Sequence, residues 1–207
     1  MGVYLWTEKP VQRYDADLSS SAWWTVEHSY WQPNELCTIS DWTITAPNEW
    51  WYAYQNINLD FSNAKRVEFW YEAYPVFATW STGMWVAIWS QPLSNQYDGS
   101  AGNCSRAWMT MQSASWYNTA TAFVLNNVEV GNRYTIGTWY SDGVWVTYKN
   151  ILDLENLTTE LYFWWNLIVD GTYSSSLADD FRNNPNNVLT IYLSSYNAIK
   201  NLYITVE

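Results

Sequence analysis

The sequence predicts an all-β fold in which two antiparallel sheets pack face to face as a sandwich. Three observations predict it. Short runs rich in β-branched and aromatic residues recur along the 207-residue chain, about a dozen of them, at the spacing typical of packed antiparallel sheets. Within the clearest runs apolar and polar residues alternate, which gives a strand one inward and one outward face. Helix signals are scarce, and no heptad or longer repeat is present.

The elements follow in order. Val3-Tyr4-Leu5-Trp6 is a short β-prone run stopped by Lys9-Pro10 and followed by the polar stretch 12–21. It is too short to build a core, so it must pair with a sheet edge, its own or a partner's. Residues 1–20 are therefore expected to form an N-terminal arm or edge strand, and residues 21–207 the sandwich. Residues 42–45 and 50–57 read as strands. In 65–74, Val67, Phe69, Tyr71 and Ala73 fall on one face, the core face by polarity. Glu68, Trp70, Glu72 and Tyr74 fall on the other. Residues 84–89 set Met84, Val86 and Ile88 opposite Trp85, Ala87 and Trp89.

Residues 107–111 and 121–125 are further strands. Residues 133–140 and 144–148 flank Ser141-Asp142-Gly143, and Asp-Gly between two β-rich runs predicts a hairpin. Ile136, Val144, Val146 and Tyr148 are expected inside. Residues 161–169 form one long apolar run. Ser176 can cap a short helical turn. Residues 188–193 and 202–206 close the chain.

Composition bounds the function. With 20 acidic and 9 basic residues the net charge is −11, so the surface repels phosphate backbones and anionic membranes. No run approaches the roughly 18 apolar residues a spanning helix needs. The first ten residues lack a basic segment and an apolar core, so no secretory signal is read there. Trp6 stands where myristoylation wants Ser or Thr. Cys37 and Cys104 match no metal spacing, and whether they pair is left open. His28 is the one histidine, too few for a His-based zinc site or a triad. The 17 Trp and 17 Tyr against 6 Phe put wide apolar rings with one polar tip in excess, which suits half-buried positions and binding surfaces.

Three segments resemble the concanavalin A/laminin G-like superfamily. Residues 59–70, Leu-Asp-Phe-Ser-Asn-Ala-Lys-Arg-Val-Glu-Phe-Trp, resemble its early strand. Gly131-Asn132-Arg133-Tyr134-Thr135-Ile136, followed by Asp142-Gly143 and a strand ending Tyr148-Lys149-Asn150, resembles its central hairpin, although Ile151 replaces the usual Gly after Asn150. Residues 199–206 resemble the terminal strand, which returns to pair near the N-terminus. The resemblance implies a concanavalin A-like jelly-roll sandwich, one sheet curved, with a concave face that often binds glycans. Such a fold serves lectins, glycosidases and structural modules alike.

Catalysis is not expected. The superfamily's laminarinase-type members carry Glu-x-Asp-x-Glu or Glu-x-Asp-x-x-Glu, and the nearest match is Glu68-Phe69-Trp70-Tyr71-Glu72, with Trp70 in place of the Asp. Two carboxylates four positions apart on a strand lie roughly 13 Å apart, beyond the about 5–5.5 Å or 6.5–9.5 Å that glycoside hydrolysis uses. No cofactor is expected, although Asp and Asn gather at 95–103 and 179–187, where loops can supply oxygens to Ca²⁺.

Trp pairs at Trp23-Trp24, Trp50-Trp51 and Trp164-Trp165 would point to opposite faces if each lay in a strand. Trp70, Trp85, Trp89 and Trp164, with Glu72, form the candidate ligand-binding set. The expected function is a non-catalytic structural or adhesion protein of a virion, a capsid decoration or tail module, made in a host cytoplasm. Its expected partners are other virion or surface-assembly proteins and glycans, not nucleic acid or membrane. A free glycan-binding lectin using exposed Trp and Tyr is the alternative, and a glycoside hydrolase ranks below both.

Overall fold

A computed structural model describes residues 11–28, 37–47, 51–74, 82–89, 105–112, 117–125, 128–130, 134–135, 143–183, 187–193 and 196–207. Among them are the strands β1 (Gln12–Asp15), β2 (Thr25–His28), β3 (Thr38–Ser40), β4 (Thr43–Thr45), β5 (Trp51–Asn56), β6 (Arg66–Tyr74), β7 (Thr82–Trp89) and β8 (Ser105–Gln112). The chain continues with β9 (Tyr117–Leu125), β10 (Val128–Val130), β11 (Tyr134–Thr135), β12 (Val146–Asp153), β13 (Thr158–Phe163), β14 (Asn166–Thr172), β15 (Val188–Leu193) and β16 (Ala198–Val206). One α-helix, α1 (Ser175–Arg182), precedes β15.

The strands form two antiparallel sheets. The first runs β14-β13-β12-β6-β16-β4-β3, with β1 also on β16; the second runs β10-β9-β8-β7-β15-β5-β2, with β11 on β9. The all-β sandwich expected from the sequence is the fold. β16 carries a bulge between Lys200 and Tyr203. Lys200 and the residues before it pair with β4, and Tyr203 to Val206 pair with β1. The terminal strand thus returns to the N-terminal segment, as the resemblance implies. Residues 1–10 lie outside the described residues, and with them the Val3–Trp6 arm.

Alternation decides the core. Val67, Phe69, Tyr71 and Ala73 of β6 face Val146, Tyr148 and Leu152 of β12, and all are buried. Tyr71 stacks on Tyr148, ring centroids 5.2 Å apart, and Phe163 meets Tyr148 edge-on at 5.3 Å. Ile199, Leu202, Ile204 and Val206 of β16 join them, with Val86, Ile88, Leu189, Ile191 and Leu193 from the second sheet. Each such side chain contributes roughly 1.5–3 kcal/mol by leaving water. α1 closes one end of the sandwich through Phe181, which meets Phe61 edge-on at 5.2 Å. Arg182 ties it down by donating to the carbonyls of Ala64 and Leu154.

Four expectations are corrected. The described parts of the expected hairpin, Tyr134–Thr135 and Val146–Tyr148, do not pair with each other; residues 136–142 lie outside the described residues. β11 belongs to the second sheet and β12 to the first, and both edges of β12 are taken, by β6 and β13. Val144 precedes β12 and is 39% exposed rather than inside, because the strand begins only at Val146; Ile136 lies outside the described residues. The apolar run 161–169 is two strands, β13 and β14, folded back at Trp164-Trp165. Residues 179–182 of the polar stretch belong to α1, which starts one residue ahead of Ser176 and takes Ser174 rather than Ser176 as its N-cap.

Candidate functional site

Among the described residues the two sheets differ at the middle of their outer faces. In the second sheet, β15 is buried on both sides: Leu189, Ile191 and Leu193 inward, Val188, Thr190 and Tyr192 outward. Ala87 on β7 is buried on that outer side as well, opposite Thr190. The outer face of the first sheet carries instead the half-buried positions of β6, namely Arg66, Glu68, Trp70, Glu72 and Tyr74. Strand register builds the rest of this face.

Trp70 pairs with Lys149 on β12 and with Tyr203 on β16; Lys149 in turn pairs with Tyr162 on β13, and Tyr203 with Asp15 on β1. One row thus crosses five strands, each step about 4.8 Å. The side chains in this row stand side by side. The Lys149 ammonium lies 4.6 Å from the centre of the Trp70 ring, Trp70 and Tyr203 stack at 5.7 Å, and the Arg13 guanidinium sits 3.9 Å over Tyr203. Because β12 and β16 flank β6 on opposite sides, Lys149 and Tyr203 reach Trp70 from opposite faces. The faces of Trp70 are therefore occupied within the protein, and the ring is a structural post. Each exposed cation–ring contact is worth about 0.5–1 kcal/mol.

Four cations of this face each have a carboxylate. Arg13 pairs with Asp15 at 2.6 Å, Lys149 with Glu68 at 3.3 Å, Arg66 with Glu68 at 2.7 Å and Lys200 with Glu72 at 3.2 Å. Trp70 Nε1 donates to Glu68, and Asn201 Nδ2 to Glu72 at 2.6 Å. Burial opposes ionisation of Glu68, yet donation from Trp70 and Arg66 and the charge of Lys149 outweigh it and hold its pKa below the usual carboxylate value. A hydrogen bond from Arg13 likewise lowers the pKa of Asp15.

Free indole faces stand at both ends of the row. At one end Trp164 and Trp165 form the two-residue turn between the paired residues Phe163 and Asn166. At the other, Asp41 and Trp42 form the two-residue turn between the paired residues Ser40 and Thr43. All four turn residues have positive φ: 46° and 69° at Trp164 and Trp165, 51° and 62° at Asp41 and Trp42. Hairpins of this length with two left-handed residues are normally filled by Asn-Gly or Asp-Gly. A non-glycine residue there stores of order 1–3 kcal/mol, strain that clusters at functional sites. Trp165 is 76% exposed and Trp42 62%.

Trp165 meets Trp70 edge-on, centroids 5.9 Å apart. Trp164 leans the other way, stacking on Phe163, and its backbone N–H donates to Thr147 O. Trp42 lines a cleft of about 350 Å³ with Arg13, Asp15, Ala16, Asn201, Leu202 and Tyr203.

Of the residues expected from sequence, Trp70 and Glu72 share this face and Trp164 lies at its rim. Trp85 and Trp89 sit on β7 in the other sheet, where their register partners on β15 are Tyr192 and Val188; their side chains lie outside the described residues. Among the other Trp pairs, Trp24 is buried and Trp23 exposed, Trp51 is buried, and Trp50 lies outside the described residues. Sequence reasoning missed Trp42, Trp165, Tyr203, Arg13 and Lys149. Tyr203 was legible from alternation in β16. The two turn tryptophans were not, because nothing in Asp-Trp or Trp-Trp announces a left-handed turn. Among the described residues no group of three or more His, Cys, Asp or Glu side chains is placed to hold a metal; the 95–103 segment lies outside them.

This architecture is the concanavalin A-like sandwich found in legume lectins. Arcelin-5, a lectin-like defense protein from Phaseolus vulgaris, superposes with a TM-score of 0.66 at 8% identity, covering 95% of this chain and 98% of its own. A lectin from Bauhinia forficata in complex with GalNAc gives 0.63 at 9%, over 95% and 98%. The winged bean acidic lectin complexed with methyl-α-D-galactose gives 0.60 at 9%, over 96% and 99%. No family model matches the chain, and no curated protein matches it in sequence.

Proposed function

We propose that the chain is a non-catalytic carbohydrate-binding domain of lectin type, with its glycan site on the outer face of the first sheet. One observation carries the reading: Trp42 and Trp165 are displayed to solvent on strained two-residue turns at the two ends of a rigid polar and aromatic row. Exposed indoles stack on the apolar C–H face of a pyranose, and the amide and charged groups of the Trp42 cleft can hydrogen-bond its hydroxyls. The sugar complexes of the Bauhinia and winged bean proteins, which share the fold, support the ligand class. The non-catalytic part rests on the carboxylates of the face: Asp15, Glu68 and Glu72 each accept from cations, and Glu68 and Glu72 are four positions apart on one strand. The same face would serve adhesion if the chain is carried on a virion or another surface assembly, the setting expected from the sequence.

A glycan array tests this. The wild-type protein is expected to bind at least one glycan class, and Trp42→Gly with Trp165→Gly to lose it while the circular dichroism spectrum is unchanged. No binding across the array, or binding that survives both substitutions, would overturn the reading.

A further inference from the structure

The geometry points to the shape and charge of the ligand: an extended, uncharged polysaccharide chain, laid across the strands and held at two separate platforms. The inference rests on the glycan-binding reading above. The two exposed indoles do not converge on one pocket. Trp42 belongs to the cleft beside β1 and β16, while Trp165 caps the β13–β14 turn beside Trp70. Between them stand Trp70 and Tyr203, whose faces are already covered by each other and by Lys149 and Arg13. A single sugar seated at one indole leaves the other unused. A chain running perpendicular to the strands reaches both and passes over the upper edges of the stacked pair.

Charge fixes the second property. Arg13, Lys149, Arg66 and Lys200 each already face a carboxylate, so a uronate, sulfate or sialate would have to displace one. The net charge of −11 opposes its approach further. Hydroxyls need no such displacement. The cleft offers Asn201, Arg13 and Asp15 as mixed donors and acceptors, the polar groups suited to a neutral sugar.

The experiment titrates the intact chain with cello-, xylo- and manno-oligosaccharides of increasing length from one unit to six, and with polygalacturonate as the charged comparison. In the series that binds, affinity is expected to rise at least about tenfold between the shortest and longest members. Trp42→Gly and Trp165→Gly should each remove that gain and leave the shorter members nearly unaffected. Polygalacturonate should bind no better than the neutral chains. Equal affinity for one unit and six, a loss confined to one of the two variants, or preference for polygalacturonate overturns the inference while leaving a glycan-binding protein. Failure of all four series overturns the inference, and failure across the glycan array as well removes the underlying reading. A melting temperature no lower than that of the wild type in both variants excludes unfolding as the cause of a loss.

Discussion

Trp70 stacks on Tyr203 with ring centroids 5.7 Å apart and planes 12° from parallel, and Lys149 and Arg13 close the stack from either side. The four residues come from β12, β6, β16 and β1, so the stack fastens the N-terminal strand to the middle of the sheet. Removing either ring should cost stability. Trp70→Ala is expected to lose about 2 kcal/mol, from burial and from the ring pair. A double-mutant cycle with Tyr203→Ala should return a coupling of about 0.5–1.5 kcal/mol. Urea denaturation measures both, and additivity of the two losses would show that the rings are merely adjacent.

Glu68 makes the face sensitive to acid. Its pKa is held below the usual carboxylate value by Trp70, Arg66 and Lys149 despite partial burial, and Asp15 is lowered by Arg13. Between the folded and unfolded values the unfolded chain binds more protons, so stability is complete above about pH 4.3 and is lost as pH falls through the folded values. The urea midpoint of wild type should drop below that pH. Glu68→Gln should start lower at neutral pH and drop less. Parallel pH curves for the two proteins would remove Glu68 from the account.

The β13–β14 turn sets stability against display. Replacing Trp164-Trp165 by Asn-Gly puts the preferred residues at two left-handed positions and removes strain of order 1 kcal/mol or more. A gain of 1 kcal/mol raises the melting temperature by about 2–4 °C in a chain of this size. The expected variant melts higher and binds glycan more weakly. A lower melting temperature would mean that the indoles stabilise the turn through Phe163 and Trp70 more than their backbone strain costs.

The core of the first sheet was legible in the sequence because β6 and the later half of β16 alternate strictly, and alternation translates directly into inside and outside. The site was only half legible. Trp70 was found because it lies opposite a core register, but its free faces were overestimated, since cross-strand neighbours such as Lys149 and Tyr203 are distant in sequence. Trp42 and Trp165 were missed because both sit in turns that lack glycine, and turn prediction depends on glycine and asparagine. The run 161–169 looked continuous for the same reason.

Cys37 offers a direct check on burial in the region before β3. Desolvation pushes its thiol up to about 12, and it is a free thiol. Thiolate is the reactive form, so Cys37 should resist modification by Ellman's reagent at pH 8 in the native protein and react fully in urea. The Cys104→Ser background keeps the second cysteine from contributing. Rapid labelling of the native protein in that background would show that the thiol is accessible and contradict its burial.

Asp-Gly between β-rich runs predicts a hairpin glycine at 143, and the requirement for Gly143 is of a different kind. Gly143 lies three residues ahead of β12, with φ at +70°, and a Cβ placed there would come within 2.9 Å of the Tyr74 hydroxyl. Tyr74 cannot withdraw freely because its ring packs on Trp145, centroids 5.4 Å apart. Gly143→Ala should therefore pay twice, for the left-handed backbone and for the contact, roughly 1–2 kcal/mol in all. Tyr74→Phe separates the two. It deletes the oxygen and leaves the ring carbon at 3.5 Å, an ordinary van der Waals contact. Gly143→Ala should then cost less in the Tyr74→Phe background than in wild type, and what remains is the backbone share. An equal cost in both backgrounds, read from urea midpoints, would mean that the Tyr74 ring shifts at no expense and that φ alone demands glycine.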